Sequence, residues 1–524
     1  MIQKILENRF VILYVIPFIL GFLTVLTFQP FNISIINFFI FPLLFYLLVY
    51  VKKKSSSIYR KKPFRRNLFI IGFIFGFGFY LSGIFWISYS LTFDPNLKFL
   101  IPFAILVIPL FLALFYGLTT LIIGPFLSLN FSSILLFSAS ISFSDYLRSK
   151  ILTGFPWNLW AYSWSWLTEF LQILNLIGLF AFNLLIITIF TLPVFIFFKY
   201  NLSRKILILS LSFLLIFLNY IYGSFVINKN KAVLNFFKEK DKTYIKVISP
   251  NFDLKYNLSL KEIENKLKKL IKYSNADKEK ETIFIWPEGA FSGFSYNEIL
   301  HLKNLIKNNF SKNHYIIFGI NTLGEKSEKY FNSFVVVNNN FDIIYKYNKN
   351  KLVPFGEFLP FESFLQNFGL KKITEGYGSF LKGGQKKNFK LNTINLVPLI
   401  CYEIIFTELL QKTSSSSNLI VNISEDAWFG DSIGPHQHFA KAIFRAIENN
   451  SFLVRSANKG ITAIINNKGE IVKKLNTNET GNIEMNIPII KSKYKNKNDL
   501  IFFSLLFTYL IIFKLFKNKK NAKK

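Results

Sequence analysis

Long apolar runs dominate the first part of the chain, from about residue 9 to residue 226. A helix needs about 20 residues to cross a bilayer, and seven runs in this region reach or approach that length. We therefore predict seven membrane-spanning helices, at about 10–29, 33–51, 67–92, 99–123, 125–145, 168–198 and 205–226. The first run has no cleavage site of small residues behind it, so we interpret it as an anchor and not as a signal peptide.

From about residue 228 to residue 497 the pattern changes to short apolar runs separated by polar, helix-like stretches. Examples of these runs are 282–286, 334–337 and 396–400. Short buried strands that alternate with helices predict an α/β domain. An eighth apolar run at about 499–516 predicts one more span before a basic tail. The predicted domains are therefore 1–227 with the first spans, 228–497 with the α/β domain, and 498–524 with the last span.

Basic residues gather in short loops beside the apolar spans. The loop 52–66 carries eight basic residues and no acidic one, and the loop at 199–205 and the C-terminal tail are also basic. Because basic loops stay in the cytoplasm, we predict that both termini are cytoplasmic and that the α/β domain lies on the opposite side. The net charge of +32 would also suit a nucleic-acid partner. We expect no such partner, because membrane topology explains the position of the basic residues better.

Composition limits the chemistry further. Hydrophobic residues make up 51% of the chain, which excludes a disordered protein. Cys401 is the single cysteine, so an internal disulfide and a multi-cysteine metal site are excluded. Two of the four histidines, His436 and His438, lie two residues apart, but no further metal ligand stands out. We therefore expect no metal and no cofactor.

Three polar side chains follow predicted strands of the α/β domain. Glu288 follows the run 283–286, Lys349 follows 342–347, and Cys401 follows 396–400. The carboxyl ends of strands are where open α/β sheets bind ligands. A thiol, a carboxylate and an ammonium together can perform acyl transfer, as nucleophile, general base and oxyanion stabiliser. The position of Cys401 at the start of a helix-like stretch also predicts a lowered thiol pKa.

Each of these residues also has a simpler interpretation. A lone cysteine after an apolar strand is more often a small buried hydrophobic residue. A single Glu or Lys in so basic a domain is most often a solvated surface charge. Glu288 is less ordinary, because the preceding Trp286-Pro287 places its carboxylate directly against apolar bulk.

Longer motifs around these residues resemble the nitrilase, or carbon–nitrogen hydrolase, superfamily. The motifs are Trp286-Pro-Glu288, Tyr347-Asn-Lys349 with Leu352-Val-Pro-Phe-Gly-Glu357, and Cys401-Tyr-Glu403. The 352–357 motif, Thr153-Gly-Phe-Pro-Trp157 and Asp426-Ala-Trp-Phe-Gly430 resemble one branch, the apolipoprotein N-acyltransferases. This resemblance covers nearly the whole chain. It implies an α-β-β-α sandwich domain attached to about eight transmembrane helices.

The resemblance also implies roles for the matching residues. Glu288 would be the general base, Lys349 the stabiliser of the oxyanion and thiolate, and Cys401 the nucleophile. Glu357 and Glu403 would support this triad, and we expect both to hold Lys349 charged and oriented. Lys351 is a rival for the lysine role, but the eight-residue spacing to Glu357 favours Lys349. Tyr402 would line the site, and the candidates for substrate or lipid contact are Tyr256, Trp157, Phe358, Phe361, Asn332 and Trp428.

The implied donor is a membrane phospholipid, typically phosphatidylethanolamine, and the implied acceptor is the α-amino group of the S-diacylglyceryl cysteine of a lipoprotein. The reaction would be ping-pong through a thioester on Cys401, at the periplasmic face of the bacterial inner membrane. A membrane-tethered amidase or nitrilase that hydrolyses a small C–N bond would use the same three residues. A transporter or lipid-binding protein is less favoured, because the spans carry almost no ionisable residue.

Aromatic residues lead to further expectations. Phe361, Phe364 and Phe368 would share one face of a helix that begins near Pro360, either as a mobile arm in the membrane interface or as an ordinary core helix. Four tryptophans predict an aromatic belt at the interface, namely Trp157, Trp160, Trp164 and Trp166. Tyr256, Glu425 and Lys459 stand where the family usually has Trp, Asn and Thr. We expect these departures to alter substrate contact and to leave the triad intact.

Overall fold

The computed structural model describes residues 8–56, 63–237, 242–324, 328–363, 367, 372, 378–384, 388–391, 394–411, 419–490 and 498–521. The chain divides into two compact units. The first contains Met1–Ser88, Phe99–Val226 and Lys497–Lys524, and the second contains Tyr89–Lys98 and Ile227–Asn496. In the part of the chain that is described, the first unit is built from helices and the second from helices and two sheets.

The first unit is a set of mostly apolar helices. They are α1 Ile16–Leu23, α2 Asn37–Ser56, α3 Pro63–Ile84, α4 Ile101–Ile123, α5 Phe131–Lys150, α6 Thr168–Leu171, α7 Leu174–Ile177, α8 Leu179–Thr191 and α9 Leu202–Asn235, with α15 Asn498–Asn521 near the end of the chain. Helices α3 and α4 pack closely, because Gly72 and Gly76 of α3 leave room for Tyr116 of α4.

Six segments of the described residues are long and apolar enough to cross a membrane. They are Ser34–Lys54, Phe64–Thr92, Pro95–Phe126, Leu179–Phe197, Leu202–Asn235 and Asn498–Lys517. The prediction of a multi-span helical region is confirmed, but two of the eight predicted spans do not meet this criterion. Val11–Thr27 is a shorter apolar helix. Helix α5 is less apolar, because it contains several serines and the charged residues Asp145, Arg148 and Lys150.

The tryptophans that follow α5 are mostly buried within the first unit. Trp157, Trp160 and Trp164 are at most 8% exposed, whereas Trp166 is 47% exposed. The predicted aromatic belt is therefore wrong for three of its four members. The indole of Trp157 packs against the rings of Trp86 and Phe155. Protein therefore surrounds this side chain, whereas the sequence predicted contact with lipid.

A buried ion pair explains why this segment turns inward. Arg148 pairs with Asp145 at 3.0 Å. Its Nη1 also donates to the backbone oxygen of Trp157 at 2.8 Å and to that of Phe155. Because a buried guanidinium needs several acceptors, it holds these two carbonyl groups inside the unit.

The second unit contains two six-stranded sheets. Their strand orders are β12-β1-β2-β3-β4-β5 and β11-β10-β9-β8-β7-β6. The strands are β1 Lys242–Ser249, β2 Thr282–Ile285, β3 His314–Leu323, β4 Tyr330–Val337, β5 Ile343–Asn348, β6 Phe389–Leu391, β7 Ile394–Ile400, β8 Leu419–Glu425, β9 Phe452–Asn458, β10 Thr462–Ile465, β11 Ile471–Leu475 and β12 Gly481–Pro488. Strands β1–β3 run parallel, as do β7–β9, and the other neighbouring pairs are antiparallel.

Helices cover the outer faces of both sheets. The helices of the second unit are α10 Leu260–Ser274, α11 Tyr296–Ile299, α12 Lys303–Asn309, α13 Glu408–Gln411 and α14 Gly434–Asn449. Apolar side chains of the two sheets form a core between them, and a second apolar cluster lies between the first sheet and α10. Helix α14 packs on β9 and β10 of the second sheet. This α-β-β-α layering confirms the predicted fold class.

Helix α10 shows how the local sequence determines an element. Ile263, Leu267 and Leu270 recur at helical spacing and are buried. Ser259 and Glu262 form a capping box at the first turn, so the backbone N–H groups at this end have partners. The polar, helix-like stretch at 260–273 is thus a helix, which ends one residue later, at Ser274.

Candidate active site

The ends of three strands bring Glu288, Lys349 and Cys401 to one region of the second unit. Because β3–β4 and β4–β5 are both antiparallel, β5 runs in the same direction as β2. Glu288 after β2 and Lys349 after β5 therefore lie at the same edge of the first sheet. In the second sheet, Cys401 directly follows β7. The two edges meet where Oε2 of Glu288 accepts the backbone N–H of Glu425, at the end of β8, at 3.1 Å.

Lys349 lies between two carboxylates. Its Nζ is 3.3 Å from Oε1 of Glu288 and 2.9 Å from Oε1 of Glu357. Asn332 donates from Nδ2 to the same two oxygens, at 2.7 and 2.6 Å. The backbone oxygen of Asn332 also accepts the backbone N–H of Lys349 at 2.8 Å. Asn332, predicted as a substrate contact, thus bridges the two carboxylates and holds the lysine backbone.

The two carboxylates determine the charge of Lys349. Burial alone disfavours its ammonium group, but attraction by Glu288 and Glu357 outweighs burial, so the pKa of Lys349 is raised. Lys349 is therefore a permanent cation. Its rival, Lys351, instead pairs with Glu408 at 3.3 Å and lies over the ring of Phe406. The geometry thus places Lys349, and not Lys351, between Glu288 and Glu357.

Cys401 has a strained backbone and a buried thiol. Its φ of +47° is in the left-handed region, which residues with a side chain rarely adopt. Burial and the charge of Glu288 raise the pKa of the thiol, and Lys349 offsets only part of that rise. The predicted lowering of the pKa is wrong, because Cys401–Ile405 is a short 3-10 turn and the sulfur has lost its water. The thiol therefore stays protonated until a base removes the proton.

Glu403 is fully buried, but its carboxylate binds other partners than the predicted Lys349. Oε1 accepts hydrogen bonds from the Tyr347 hydroxyl at 2.8 Å and from the backbone N–H of Asn350 at 2.7 Å. Oε2 accepts the backbone N–H of Ile400 at 3.0 Å. Glu403 and Lys349 are both described, and no hydrogen bond or ion pair joins them, so the prediction that Glu403 orients Lys349 directly is wrong. The tight turn after Cys401 aims Glu403 back at the strand ends. The Glu403 carboxylate therefore links the backbone N–H of Asn350, just after Lys349, to the backbone N–H of Ile400, just before Cys401.

Glu357 connects Lys349 to a segment that carries exposed phenylalanines. Its Oε2 accepts the backbone N–H of Val353 at 2.9 Å, while its Oε1 binds Lys349. On either side of Glu357, Phe355 is 48% and Phe361 is 76% exposed, whereas Phe358 is half-buried. Phe364 and Phe368 of the predicted helix lie outside the described residues. Exposure of Phe361 disfavours the core-helix interpretation for that residue.

Tyr256 and Trp428, both predicted as substrate contacts, lie side by side. Their ring centroids are 6.1 Å apart, and Phe93 packs edge-on against Trp428 at 5.3 Å. Trp428 belongs to the turn Asp426–Phe429, which directly follows Glu425. Tyr402 is buried beside Cys401 and packs edge-on against Phe406 at 5.1 Å. The Tyr256–Trp428 pair therefore adjoins the loop that follows strand β8.

Glu425 is a second buried carboxyl beside Glu288. Its oxygens accept hydrogen bonds from Nδ2 of Asn458 at 2.9 and 3.0 Å. The Glu425 carboxyl group can lie here because residue 289 is a glycine. A Cβ atom at Gly289 would be 1.6 Å from Oε2 of Glu425. Burial, reinforced by the charge of Glu288, raises the pKa of Glu425 to about 8, although Asn458 acts in the opposite direction. Glu425 therefore holds a proton at neutral pH.

We expect Glu425→Gln to lose less stability than the wild type as the pH rises from 5 to 9. An unfolded glutamate has a pKa of about 4.3, so the native state alone retains this proton up to about pH 8. The corresponding stability is fully present below pH ~4 and is lost as the pH rises to about 8, by about 5 kcal/mol in all. Thermal unfolding in detergent at pH 5 and pH 9 measures this loss. An equal loss in the wild type and the Gln variant would contradict the assignment.

Several buried polar residues near Cys401 had no assigned role at the sequence level. They are Ser424, Asp426, His438 and Arg455. Within the described ranges, no group of three or more His, Cys, Asp or Glu residues is arranged to hold a metal ion. Asn422 and Ser424 alternate with apolar residues along β8, and this period of two was the available signal that they share one face of a buried strand.

Comparison with known proteins agrees with this architecture. A carbon-nitrogen hydrolase family model matches residues 253–491, and a model of the apolipoprotein N-acyltransferase N-terminal domain matches residues 20–192. The apolipoprotein N-acyltransferase of Rhizobium leguminosarum bv. trifolii is 31% identical over 481 residues, covering 89% of this chain and 88% of that relative. The one from Rickettsia typhi is 32% identical over 514 residues, covering 95% and 98%.

Among solved structures, an amidase from Nesterenkonia sp. aligns with 47% of this chain and 90% of its own, at 14% identity and a TM-score of 0.35. The two-sheet fold and the family matches together define the second unit as a carbon–nitrogen hydrolase domain. The chain as a whole belongs to the apolipoprotein N-acyltransferase family.

Proposed function

We propose that the protein transfers an acyl chain from a membrane phospholipid, with phosphatidylethanolamine as the expected donor, to the α-amino group of an S-diacylglyceryl cysteine at the N-terminus of a lipoprotein. The observation that carries this proposal is the ammonium of Lys349, held between Glu288 and Glu357 at the strand ends where Cys401 lies. The named relatives support acyl transfer over hydrolysis of a small amide.

In the first half-reaction, Cys401 takes the acyl chain. Glu288 removes the thiol proton, and the sulfur attacks the ester carbonyl of the phospholipid. Lys349 stabilises the oxyanion that forms, because its charge is fixed and needs no reorganisation. Collapse of the tetrahedral intermediate breaks the ester C–O bond. Glu288 then returns the proton to the departing alcohol oxygen, so a lysophospholipid leaves and a thioester remains.

In the second half-reaction, the lipoprotein amine attacks the thioester. The neutral amine forms the C–N bond, and Glu288 accepts a proton from its nitrogen. Cys401 leaves as a thiolate beside the ammonium of Lys349 and is reprotonated from Glu288. Atoms and charges balance over the cycle, since one ester is consumed and one amide is formed.

The supporting carboxylates keep the three groups in place. Glu357 binds Lys349 at 2.9 Å, so the ammonium is held even while Glu288 carries a proton. Glu403 acts as a positioning residue through backbone N–H groups on both sides of the site. The exposed rings of Phe355 and Phe361, together with the Tyr256–Trp428 pair, are the surfaces that we assign to acyl-chain and substrate contact.

The proposed location is the bacterial inner membrane. The six apolar helices support a membrane protein. The basic loop at 52–66 and the basic tail favour cytoplasmic termini, which would put the catalytic domain, residues 228–497, in the periplasm. In this arrangement the spans, in 1–227 and 498–524, would hold the domain close to the lipid esters.

The test is a transfer assay with the full chain in detergent micelles. We expect incubation with phosphatidylethanolamine and a synthetic S-diacylglyceryl-cysteinyl peptide to yield the N-acyl peptide and an equal amount of lysophospholipid, both measured by mass spectrometry. The matched control is the same peptide with an acetylated amine. It should give no product, although the protein should still release one equivalent of lysophospholipid.

The competing amidase function is tested in the same preparation. Ammonia release from small amides, without any N-acyl peptide or lysophospholipid, would overturn the proposal in favour of the amidase. Release of lysophospholipid without peptide acylation would show a phospholipase and would equally contradict it.

A further inference from the structure

A polar cluster lies behind Cys401, on the side of β8 that faces helix α14. We call it the Asp426 cluster, and it consists of Ser424, Asp426, His438 and Arg455, all at most 1% exposed. Arg455 donates from Nη2 to both oxygens of Asp426, at 2.9 and 2.7 Å. Burial alone would raise the pKa of Asp426, but Arg455 outweighs it and lowers the pKa. Asp426 is therefore a fixed anion near the nucleophile.

Ser424 connects this anion to the sulfur. Its Oγ donates a hydrogen bond to Oδ1 of Asp426 at 2.7 Å. The parallel register pairs Ile400 of β7 with Ile423 of β8, so Cys401 and Ser424 are the next residues at adjacent strand ends. The Ser424 side chain also lowers the pKa of the Cys401 thiol, against the rise that burial and Glu288 cause. Its position beside Cys401 in the register makes a thiolate at Cys401 a second candidate acceptor for this hydroxyl, besides Asp426.

His438 holds the backbone of the nucleophile. Its Nε2 is 3.3 Å from the carbonyl oxygen of Cys401. A carbonyl oxygen can only accept, so Nε2 carries the hydrogen. Burial and the charge of Arg455 lower the pKa of His438 to about 4, so the ring is neutral at physiological pH. This contact fixes the carbonyl group of a residue whose φ is +47°.

We propose that Ser424 is a further catalytic residue, whose hydroxyl turns from Asp426 to the sulfur of Cys401 when that sulfur becomes a thiolate. Asp426 and His438 are positioning residues that hold the serine and the cysteine backbone. This inference rests on the proposed role of Cys401 as the nucleophile. It goes beyond the Glu288–Lys349–Cys401 triad, because it adds a neutral hydrogen-bond donor to the thiolate.

No covalent bond of Ser424 forms or breaks in this step, because only the direction of its O–H changes. While Cys401 is a thiol, its S–H donates to Oγ of Ser424, and Ser424 donates to Asp426. Once Glu288 has taken the thiol proton, the sulfur is an acceptor and the serine O–H rotates towards it. Asp426 keeps its two hydrogen bonds from Arg455. The same hydroxyl stabilises the thiolate again when it leaves in the second half-reaction.

The test measures the thiolate directly, by the rate of iodoacetamide alkylation of the full chain in detergent. Cys401 is the single cysteine, so every alkylation event reports on it. A hydrogen bond to a charged acceptor is worth about 10- to 100-fold in an equilibrium. We therefore expect Ser424→Ala to alkylate about 10- to 100-fold more slowly at pH 8, and to form the acyl-enzyme more slowly by a similar factor.

The matched control is Ser456→Ala. Ser456 is a buried serine of the same sheet, and its Oγ donates to the backbone oxygen of Ile248 at 2.8 Å, away from Cys401. It should lose comparable thermal stability and keep the wild-type alkylation rate. Equal alkylation rates in Ser424→Ala, Ser456→Ala and the wild type would overturn the proposal.

A second variant keeps the test valid if Ser424→Ala does not fold. Ser424→Thr retains the hydroxyl and should alkylate within about threefold of the wild type, whereas a 10-fold or larger loss would contradict the proposal. Alkylation needs no acyl transfer. A failure of the transfer assay would therefore reject the proposed function, while an unchanged alkylation rate would reject the serine switch alone.

Discussion

Cys401→Ala is expected to abolish acyl transfer, with a loss of about 10⁴-fold or more, as for removal of other enzymatic nucleophiles. The proposed thioester has no other sulfur on which to form, because the chain contains one cysteine. Alanine has nearly the same preference against a left-handed backbone as cysteine, so the strained φ of +47° should not change the fold. Intact mass after incubation with phospholipid should show one acyl increment on the wild type and none on the variant.

Cys401→Ser serves as the companion variant. A hydroxyl has the shape of the thiol but a much higher pKa, so Glu288 cannot generate the alkoxide at a useful rate. We expect no turnover and at most a slowly formed ester that resists hydroxylamine, whereas the wild-type thioester is cleaved by it. Full acyl transfer by either variant would disprove the thioester mechanism.

Lys349→Met should be almost as damaging to activity and should also destabilise the protein. The lysine side chain is 1% exposed and compensates Glu288 and Glu357, which lie 3.3 and 2.9 Å from its Nζ. Breaking a buried ion pair leaves uncompensated charge and costs about 3–5 kcal/mol. We expect a loss of at least about 10³-fold in acyl-enzyme formation, together with a lower unfolding temperature in detergent.

Lys349→Arg tests whether a positive charge at this position is sufficient or whether the compact shape of the ammonium is also required. The planar guanidinium keeps the positive charge but does not fit a position built for a compact ammonium between two carboxylates. It should restore part of the stability lost in Lys349→Met and little of the activity. The matched controls are Lys351→Met and Lys351→Arg, because Lys351 is 28% exposed and pairs with Glu408 away from the site. If the Lys351 variants lost as much activity as the Lys349 variants, the assignment of the lysine would be wrong.

Local sequence signals predicted most of the second unit. Short apolar runs became the strands of two sheets, and the helical spacing of 260–273 became α10. Glu288, Lys349 and Cys401 lie within three residues of the ends of three of these strands, and the structure brings them to one region of the second unit. This success has a physical reason, because a strand end exposes its next side chain at the sheet edge regardless of details of packing.

Predictions that depended on burial were less accurate. The thiol of Cys401 was expected to have a lowered pKa from its position at a helix start, yet burial and Glu288 raise it. Trp157 was expected at the membrane interface, yet Arg148 holds its backbone inside the first unit. Both errors arise because the surroundings of a side chain come from residues distant in sequence.

The sequence by itself determined the helical and α/β regions, the strand ends and the positions of the three side chains that we propose as catalytic, because these depend on local periodicity and on neighbouring residues. The tertiary structure alone decided the partners of those side chains. It placed Asn332 as a bridge between Glu288 and Glu357, directed Glu403 to the backbone N–H of Asn350, and joined Ser424 to Asp426. The Asn332 contacts depend on neighbouring strands of one sheet, and the Glu403–Asn350 contact joins the two sheets. Their distances follow from sheet register and packing, which no short stretch of sequence encodes.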